Sequence, residues 1–426
     1  MKKSENKKTV ENVVMLYIFT FAKLIFPLLT LPYLTRVLSE DSYGVVSYVK
    51  SFMIYMQLII DFGFILSAVK DIVKVQNNRE EVGYIAGHTF LAKCLLIIIT
   101  FILLCIFCVT IPILRTNLFY TMLSFAAVAL TAFLPDFLFR GLEKMGFITL
   151  TFVVMKGIST AMTFVFVTND NTIMYIPLFE LIGTLLAVII GWVLIFLSKI
   201  RVRIKSFKTT LRMLKESSTY FFSNFATTAL GALNTIVIGI VLIDNAQIAF
   251  WSVCMQIITA VQNLYMPIQN GIYPRMVRYK DLNFMHKIML VFMPIVLAGS
   301  LFCFFFSEKI IVIIAGAKYI DAHILFRYLI PILIFSFPSI MYGWTTLGVI
   351  NKEKLTTLTT IITAVTQILG LALLIVFDQF TLINVAILRC FSEFVFMAIR
   401  MIFTYKYRKL FNKKSSANLK ECEVLS

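Results

Sequence analysis

Residues 12–44 read NVVMLYIFTFAKLIFPLLTLPYLTRVLSEDSYG, and the fold is decided by how this stretch is read. Its apolar run is long enough to cross a bilayer, since about 20 helical residues span roughly 30 Å of hydrocarbon. Lys23 sits near the middle of the run, where an unpaired charge costs several kcal/mol in lipid. Pro27 and Pro32 are expected to interrupt the helix, which a membrane helix tolerates where neighbours re-satisfy the freed backbone groups. At roughly 100° per residue, Asn12, Lys23 and Thr30 share one side of the helix, with Pro27 beside them. A polar stripe, a charge and two kinks point to a helix that lines a wet cavity and bends. The plainer alternative is an anchor whose Lys23 pairs with another helix.

Composition carries the same message outward. The chain has 426 residues, 60% of them hydrophobic and only 14% charged. Its mean hydropathy of +0.90 excludes a water-soluble globular protein. The net charge of +17 suits the basic cytoplasmic loops of a polytopic membrane protein better than nucleic-acid binding. The start MKKSENKKTVENVV lacks a cleavable-signal pattern, because the apolar run that follows is too long and has no small-residue site. Cys105 and Cys108 form a C-x-x-C inside an apolar run with no second pair, and read as packing residues. With three histidines, no metal site is expected.

Apolar runs bounded by polar loops predict twelve helices. They lie near 12–38, 43–69, 84–110, 118–139, 147–168 and 173–198, then 214–242, 247–273, 288–307, 323–350, 355–377 and 382–405. On one side the loops carry the lysines and arginines of segments 1–11, 70–79, 140–144, 199–215, 275–287, 352–354 and 406–420. The other side carries Arg115, Lys309 and Lys318. Such a bias places both termini in the cytoplasm. The organisation expected is an N-terminal tail 1–11, a six-helix lobe 12–198, a basic linker 199–213, a second six-helix lobe 214–405 and a basic tail 406–426. Short echoes between the halves, Val37-Leu38-Ser39-Glu40-Asp41 with Val241-Leu242-Ile243-Asp244-Asn245, fit parallel repeats with substrate bound between them.

Inside the spans, Tyr43, Lys50, Gln57 and Asp61 fall on one face of the second helix. Lys50 and Asp61 are about 16 Å apart along it, too far to pair with each other. The deeper cations Lys23, Lys93 and Lys156 all belong to the first half. In the second half, helix seven shows Tyr220, Asn224, Thr227 and Thr228, and helix eight Ser252, Gln256, Thr259, Asn263 and Asn270. These uncharged stripes suit hydroxyl-rich ligands, although helix–helix hydrogen bonding explains many such residues equally well. Arg389 and Glu393, one turn apart, are expected to neutralise each other, and Arg327 to snorkel to the outer surface. A lobe that attracts anions facing a neutral polar lobe is the simplest reading. The candidate substrate-binding residues are therefore Lys23, Lys50, Lys93, Lys156, Asn224, Gln256 and Asn263, with Asp61 the candidate coupling residue. No Walker pattern and no nucleophile paired with a base is present. The chain reads as a transporter, not an enzyme, driven by an ion gradient, membrane potential or substrate flux.

Several stretches together resemble one family. Leu31-Pro32-Tyr33-Leu34-Thr35-Arg36-Val37-Leu38 with Tyr43-Gly44, and Asp61-Phe62-Gly63-Phe64 running on through Ser67 to Ile72, resemble the polysaccharide-repeat flippases of the Wzx type. Phe139 with Gly141-Leu142-Glu143-Lys144-Met145, and Gly316 with Tyr319 and Ala322, are similar to two further segments of that family. Where the family often reads D-W-x-F-Q-G, this chain has Asp136, Phe137 and Arg140.

The resemblance implies an all-α polytopic fold of the MATE-like superfamily, two six-helix lobes around a central cavity that alternates between membrane faces. It implies translocation of undecaprenyl-diphosphate-linked oligosaccharide from the inner to the outer leaflet of a bacterial cytoplasmic membrane, for capsule or O-antigen. The partners it implies are that glycan, membrane lipids, a polysaccharide polymerase and a chain-length regulator, with no cofactor beyond a coupling H+ or Na+. A multidrug or cation exporter of the same superfamily, which would favour acidic cavity residues, and a lipid II flippase, which usually has extra helices, are the alternatives.

Overall fold

The computed structural model describes residues 2–411, apart from the side chains of residues 2–10, 13, 219, 222, 223, 226, 227, 229 and 230. Thr227, the expected tail 1–11 except Glu11, and the tail beyond 411 thus lie outside the described side chains. Helices account for nearly all of what is described, in chain order α1 Lys2–Val37 and α7 Phe207–Val241 with the remaining long elements as follows. They are α2 Glu40–Lys74, α3 Arg79–Thr110, α4 Leu118–Gly141, α5 Met145–Phe166, α6 Asp170–Leu197, α8 Asn245–Tyr279, α9 Leu282–Phe305, α10 Ala322–Ile350, α11 Glu353–Val376 and α12 Leu382–Lys406. Among the described residues, all of these except α7 are long and apolar enough to cross a membrane, and α1 contributes Val14–Val37. The seventh expected span, 214–242, falls inside α7, whose described apolar part is the shorter Gly231–Val241. Large apolar side chains such as Phe196, Leu290 and Val376 stand exposed on outer faces, as lipid-facing positions do.

α1 runs through both Pro27 and Pro32, which corrects the expectation that they interrupt it. A proline deletes one rung of the ladder and leaves the others in place. Side chains add bonds alongside: Thr30 Oγ1 donates to the Phe26 carbonyl at 3.0 Å and Arg36 to the Pro32 carbonyl at 2.8 Å. In the first unit two other spans, expected to be continuous, are broken instead. α2 splits into Glu40–Asp61 and Phe64–Lys74, because Phe62 and Gly63 both take left-handed conformations, φ 42° and 79°. Gly63 is required twice over, since a Cβ there would also overlap the Cβ of Tyr220. α4 splits into Leu118–Thr131 and Asp136–Gly141 around Pro135. Each break leaves a carboxylate, Asp61 or Asp136, at a helix end rather than in mid-helix.

The chain forms two compact units, the first running to Thr228 and including Ile243–Ala249, the second comprising Ala229–Leu242 and the chain from Phe250 on. The boundary thus falls within α7, and the basic segment expected as a linker belongs to the first unit. There, one apolar cluster joins Phe64, Ala68 and Ile72 of α2, Val82 and Phe90 of α3, Phe137 to Phe139 of α4, and Ile195 and Ile200. Tyr33 on α1 donates its hydroxyl hydrogen to the end of α5, where the Phe164 and Val167 carbonyls lie 2.8 Å away.

The second unit is held by buried polar contacts. Arg389 pairs with Glu393 at 2.8 Å, as their spacing suggests, and Glu393 also accepts from Ser339 Oγ at 3.1 Å. Arg400 donates to the Ser339 carbonyl and to Thr359 Oγ1, and its guanidinium occupies the space a Cβ on Gly343 would take. That glycine opens a π-helical turn, Gly343–Leu347. Arg327 Nε donates to Ser307 Oγ at 2.7 Å.

Candidate functional site: a charged cavity in the first unit

A cavity of about 570 Å³ opens within the first unit, walled by α1 through α7. Its polar walls are Lys23, Gln57, Asp61, Lys93, Asp136, Lys156, Glu180, Asn224 and Thr228. A second space of about 320 Å³ shares Lys23, Gln57, Lys156 and Glu180 with it, and adds Pro27, Thr30 and Lys50. Of the face predicted on α2, Lys50, Gln57 and Asp61 reach these walls, while Tyr43 is buried.

The four cavity lysines divide into two kinds. Lys93 Nζ on α3 lies 2.9 Å from Asp61 Oδ1, and Lys156 Nζ on α5 lies 2.9 Å from Glu180 Oε1 on α6. Among the described residues, Lys23 and Lys50 form no ion pair. The Lys23 ammonium is held instead over aromatic faces, 4.6 Å from the Phe19 ring centre and 5.9 Å from that of Phe152. A ring face stabilises a cation by about 0.5–2 kcal/mol without neutralising it, so the charge stays available to an anion. Asp136 lines the cavity without an ion pair among the described residues. The walls therefore present two pre-neutralised pairs, two open cations, one open carboxylate, and the amides of Gln57 and Asn224.

The sequence had placed Lys23, Lys50, Lys93, Lys156, Asp61 and Asn224 as candidates, and all six line these spaces. Gln256 and Asn263 sit half-buried on α8 in the second unit and are not among the walls. Two wall residues were not singled out. Glu180 is not among the candidates drawn from the sequence, and Asp136 enters there only through the family segment, whose first position it matches. A signal for Glu180 existed in the α5–α6 hairpin, because Lys156 and Glu180 are equidistant from position 168 near the turn. Asp136 follows Pro135, which marks the break that brings it to the wall.

Comparison with known proteins agrees with this architecture. Residues 9–280 match the family described as "Polysaccharide biosynthesis protein". A protein of Escherichia coli K12 named "Putative O-antigen transporter" is 25% identical over 284 residues, 66% of this chain and 68% of its own. Its Shigella dysenteriae namesake is 26% identical over 280 residues, 65% and 70% of the two chains. Among solved structures, an inward-facing MATE-family multidrug resistance transporter of the MOP superfamily superposes with a TM-score of 0.66 at 14% identity, over 94% of this chain and 98% of that one. The lipid II flippase MurJ in an inward closed conformation gives 0.68 at 13% identity, over 93% and 87%. At such identities these likenesses concern the fold alone. With a family match spanning most of its length and a MATE-like helical fold, this multi-pass membrane chain belongs to the polysaccharide biosynthesis protein family.

Proposed function

We propose that the protein is a flippase that carries undecaprenyl-diphosphate-linked oligosaccharide repeat units from the inner to the outer leaflet of the bacterial cytoplasmic membrane, for capsule or O-antigen synthesis. The observation that carries this reading is the pair of open lysines, Lys23 and Lys50, on the walls of one space whose other lysine is already paired. A diphosphate needs cations that no protein carboxylate has claimed. Charge-assisted bonds to it contribute about 1–3 kcal/mol each in a site of low dielectric. The glycan needs uncharged partners such as Gln57 and Asn224, and the prenyl chain can remain in lipid. Alternating access serves such a substrate when the cations lie near the midplane, and Lys23 is central in the first span. Pro27, one turn along α1, lines the same space, so movement of α1 would carry Lys23 with it.

The same reading puts both termini in the cytoplasm and couples transport to H+ or Na+ through Asp61. It gives the protein a polymerase and a chain-length regulator as downstream partners. The test is polymer export in a flippase-null strain. Lys23→Ala and Lys50→Ala should each weaken substrate binding about 5- to 150-fold and leave lipid-linked units on the cytoplasmic side at normal protein levels. Lys23→Arg should keep part of the activity. Wild-type polymer from the Lys23→Ala, Lys50→Ala double variant at low expression would refute the assignment.

A further inference from the structure

A second cationic site lies away from the cavity, where the segment following α6 meets the start of α3. Residues 200–206 are non-helical: Ile200 and Val202 pack on the apolar cluster, while Arg201, Arg203 and Lys205 are exposed. The segment is docked by specific contacts. The Arg203 amide donates to the Gly83 carbonyl at 3.2 Å, and the Lys205 amide to His88 Nε2 at 3.2 Å. Buried His88 holds Thr210 Oγ1 at 2.9 Å through its other ring nitrogen. Gly83 and Gly87 make the fit possible, because a Cβ on either would overlap the carbonyl oxygen of Arg201 or Arg203.

The docked segment borders an open pocket of about 270 Å³ lined by Arg79, Glu80, Lys199, Arg201 and Arg203. Glu80 is 3.8 Å from Arg203, beyond hydrogen-bond length, and Glu81 is engaged by Lys205 at 3.2 Å. Arg79, Lys199 and Arg201 form no ion pair among the described residues. Loop charges that served only to orient the chain in the membrane would not need a fixed backbone. Here four cations line one hollow at the ends of two apolar spans, α3 and α6.

We propose that this pocket binds the phosphate of a lipid headgroup at the membrane surface, supplied either by an anionic phospholipid or by a polyprenyl diphosphate. Only the second source rests on the function proposed above. The experiment titrates the full-length protein, in neutral detergent, with cardiolipin, undecaprenyl diphosphate or phosphatidylcholine, and reads bound lipid by native mass spectrometry. The variant R79Q/K199Q/R201Q/R203Q should lose about tenfold or more in affinity for one or both phosphate-rich lipids. R79K/R201K/R203K should largely keep it, and K354Q/K406Q/R408Q/K409Q, which removes equal charge elsewhere, should match the wild type. Loss confined to undecaprenyl diphosphate would identify the carried lipid as the ligand. Loss with cardiolipin would identify a membrane phospholipid, whatever the transported substrate. Equal losses in both glutamine variants, or none in either, would overturn the proposal. Should the first variant aggregate, G83A displaces the Arg201 carbonyl without altering charge, and unchanged affinity there overturns it equally.

Discussion

Lys93 Nζ lies 2.9 Å from Asp61 Oδ1, joining the buried side chain on α3 to the point where α2 breaks. A carboxylate at a helix C-terminus faces the negative end of the helix dipole, and the ammonium offsets that. The Lys93 side chain is only 8% exposed whereas that of Asp61 is 40% exposed, so the pair is buried from one side. Removing one partner of a fully buried pair costs about 3–5 kcal/mol; for this half-open pair about 1–3 kcal/mol is expected after discounting for solvent screening. Asp61→Asn should therefore lower the melting temperature in detergent, and Lys93→Gln added to it should restore part of the loss. Strictly additive losses would mean that the pair is not coupled. If Asp61 also couples transport, Asp61→Asn should flatten the pH dependence of flipping, and an unchanged profile would end that role.

Lys156 and Glu180 bridge the α5–α6 hairpin with both side chains more than a third exposed to the cavity. Such a pair contributes about 0–1 kcal/mol. Lys156→Gln and Glu180→Gln should leave expression and melting temperature nearly unchanged, and the charge swap Lys156→Glu, Glu180→Lys should fold. A drop of many degrees for either single variant would show the pair to be structural.

Gly63 and Gly299 should respond oppositely to alanine. At Gly63, with φ +79° and Tyr220 in the way, a side chain costs about 1–2 kcal/mol from conformation alone. At Gly299, inside α9, a Cβ meets nothing within 4 Å, so Gly299→Ala is expected to be neutral or to stabilise by up to about 1 kcal/mol. Thermal melts of the two variants decide this, and equal effects would contradict the broken geometry of α2.

Topology is checked by labelling single cysteines in a cysteine-free background. Asn169→Cys and Asp244→Cys should react with an impermeant reagent in intact cells, and Lys205→Cys only after permeabilisation. Reaction of Lys205→Cys in intact cells would reverse the orientation argued from the basic loops.

The apolar runs, the six helices of the first half and most of the cavity walls were legible in the sequence, because hydrophobic length and helical phase are local properties. Asp61 and Lys93 are even symmetric about position 77 in the α2–α3 turn, as Lys156 and Glu180 are about position 168. Antiparallel hairpins bring such residues to one depth, so hairpin arithmetic could have found both pairs. What it could not supply is the rotation of each helix about its axis, which packing sets and which decides whether residues at one depth meet. For that reason only the tertiary structure separated Lys93 and Lys156, which are ion-paired, from Lys23 and Lys50, which form no ion pair among the described residues. It also decided that Pro27 and Pro32 are absorbed within α1 while Phe62-Gly63 and Pro135 break their helices. A break depends on what the neighbours can accommodate, as Tyr220 does for Gly63. The basic segment 199–213 reads as a linker from its composition; its docking onto Gly83 and Gly87 arises from a backbone approach between segments more than a hundred residues apart, which no local pattern encodes.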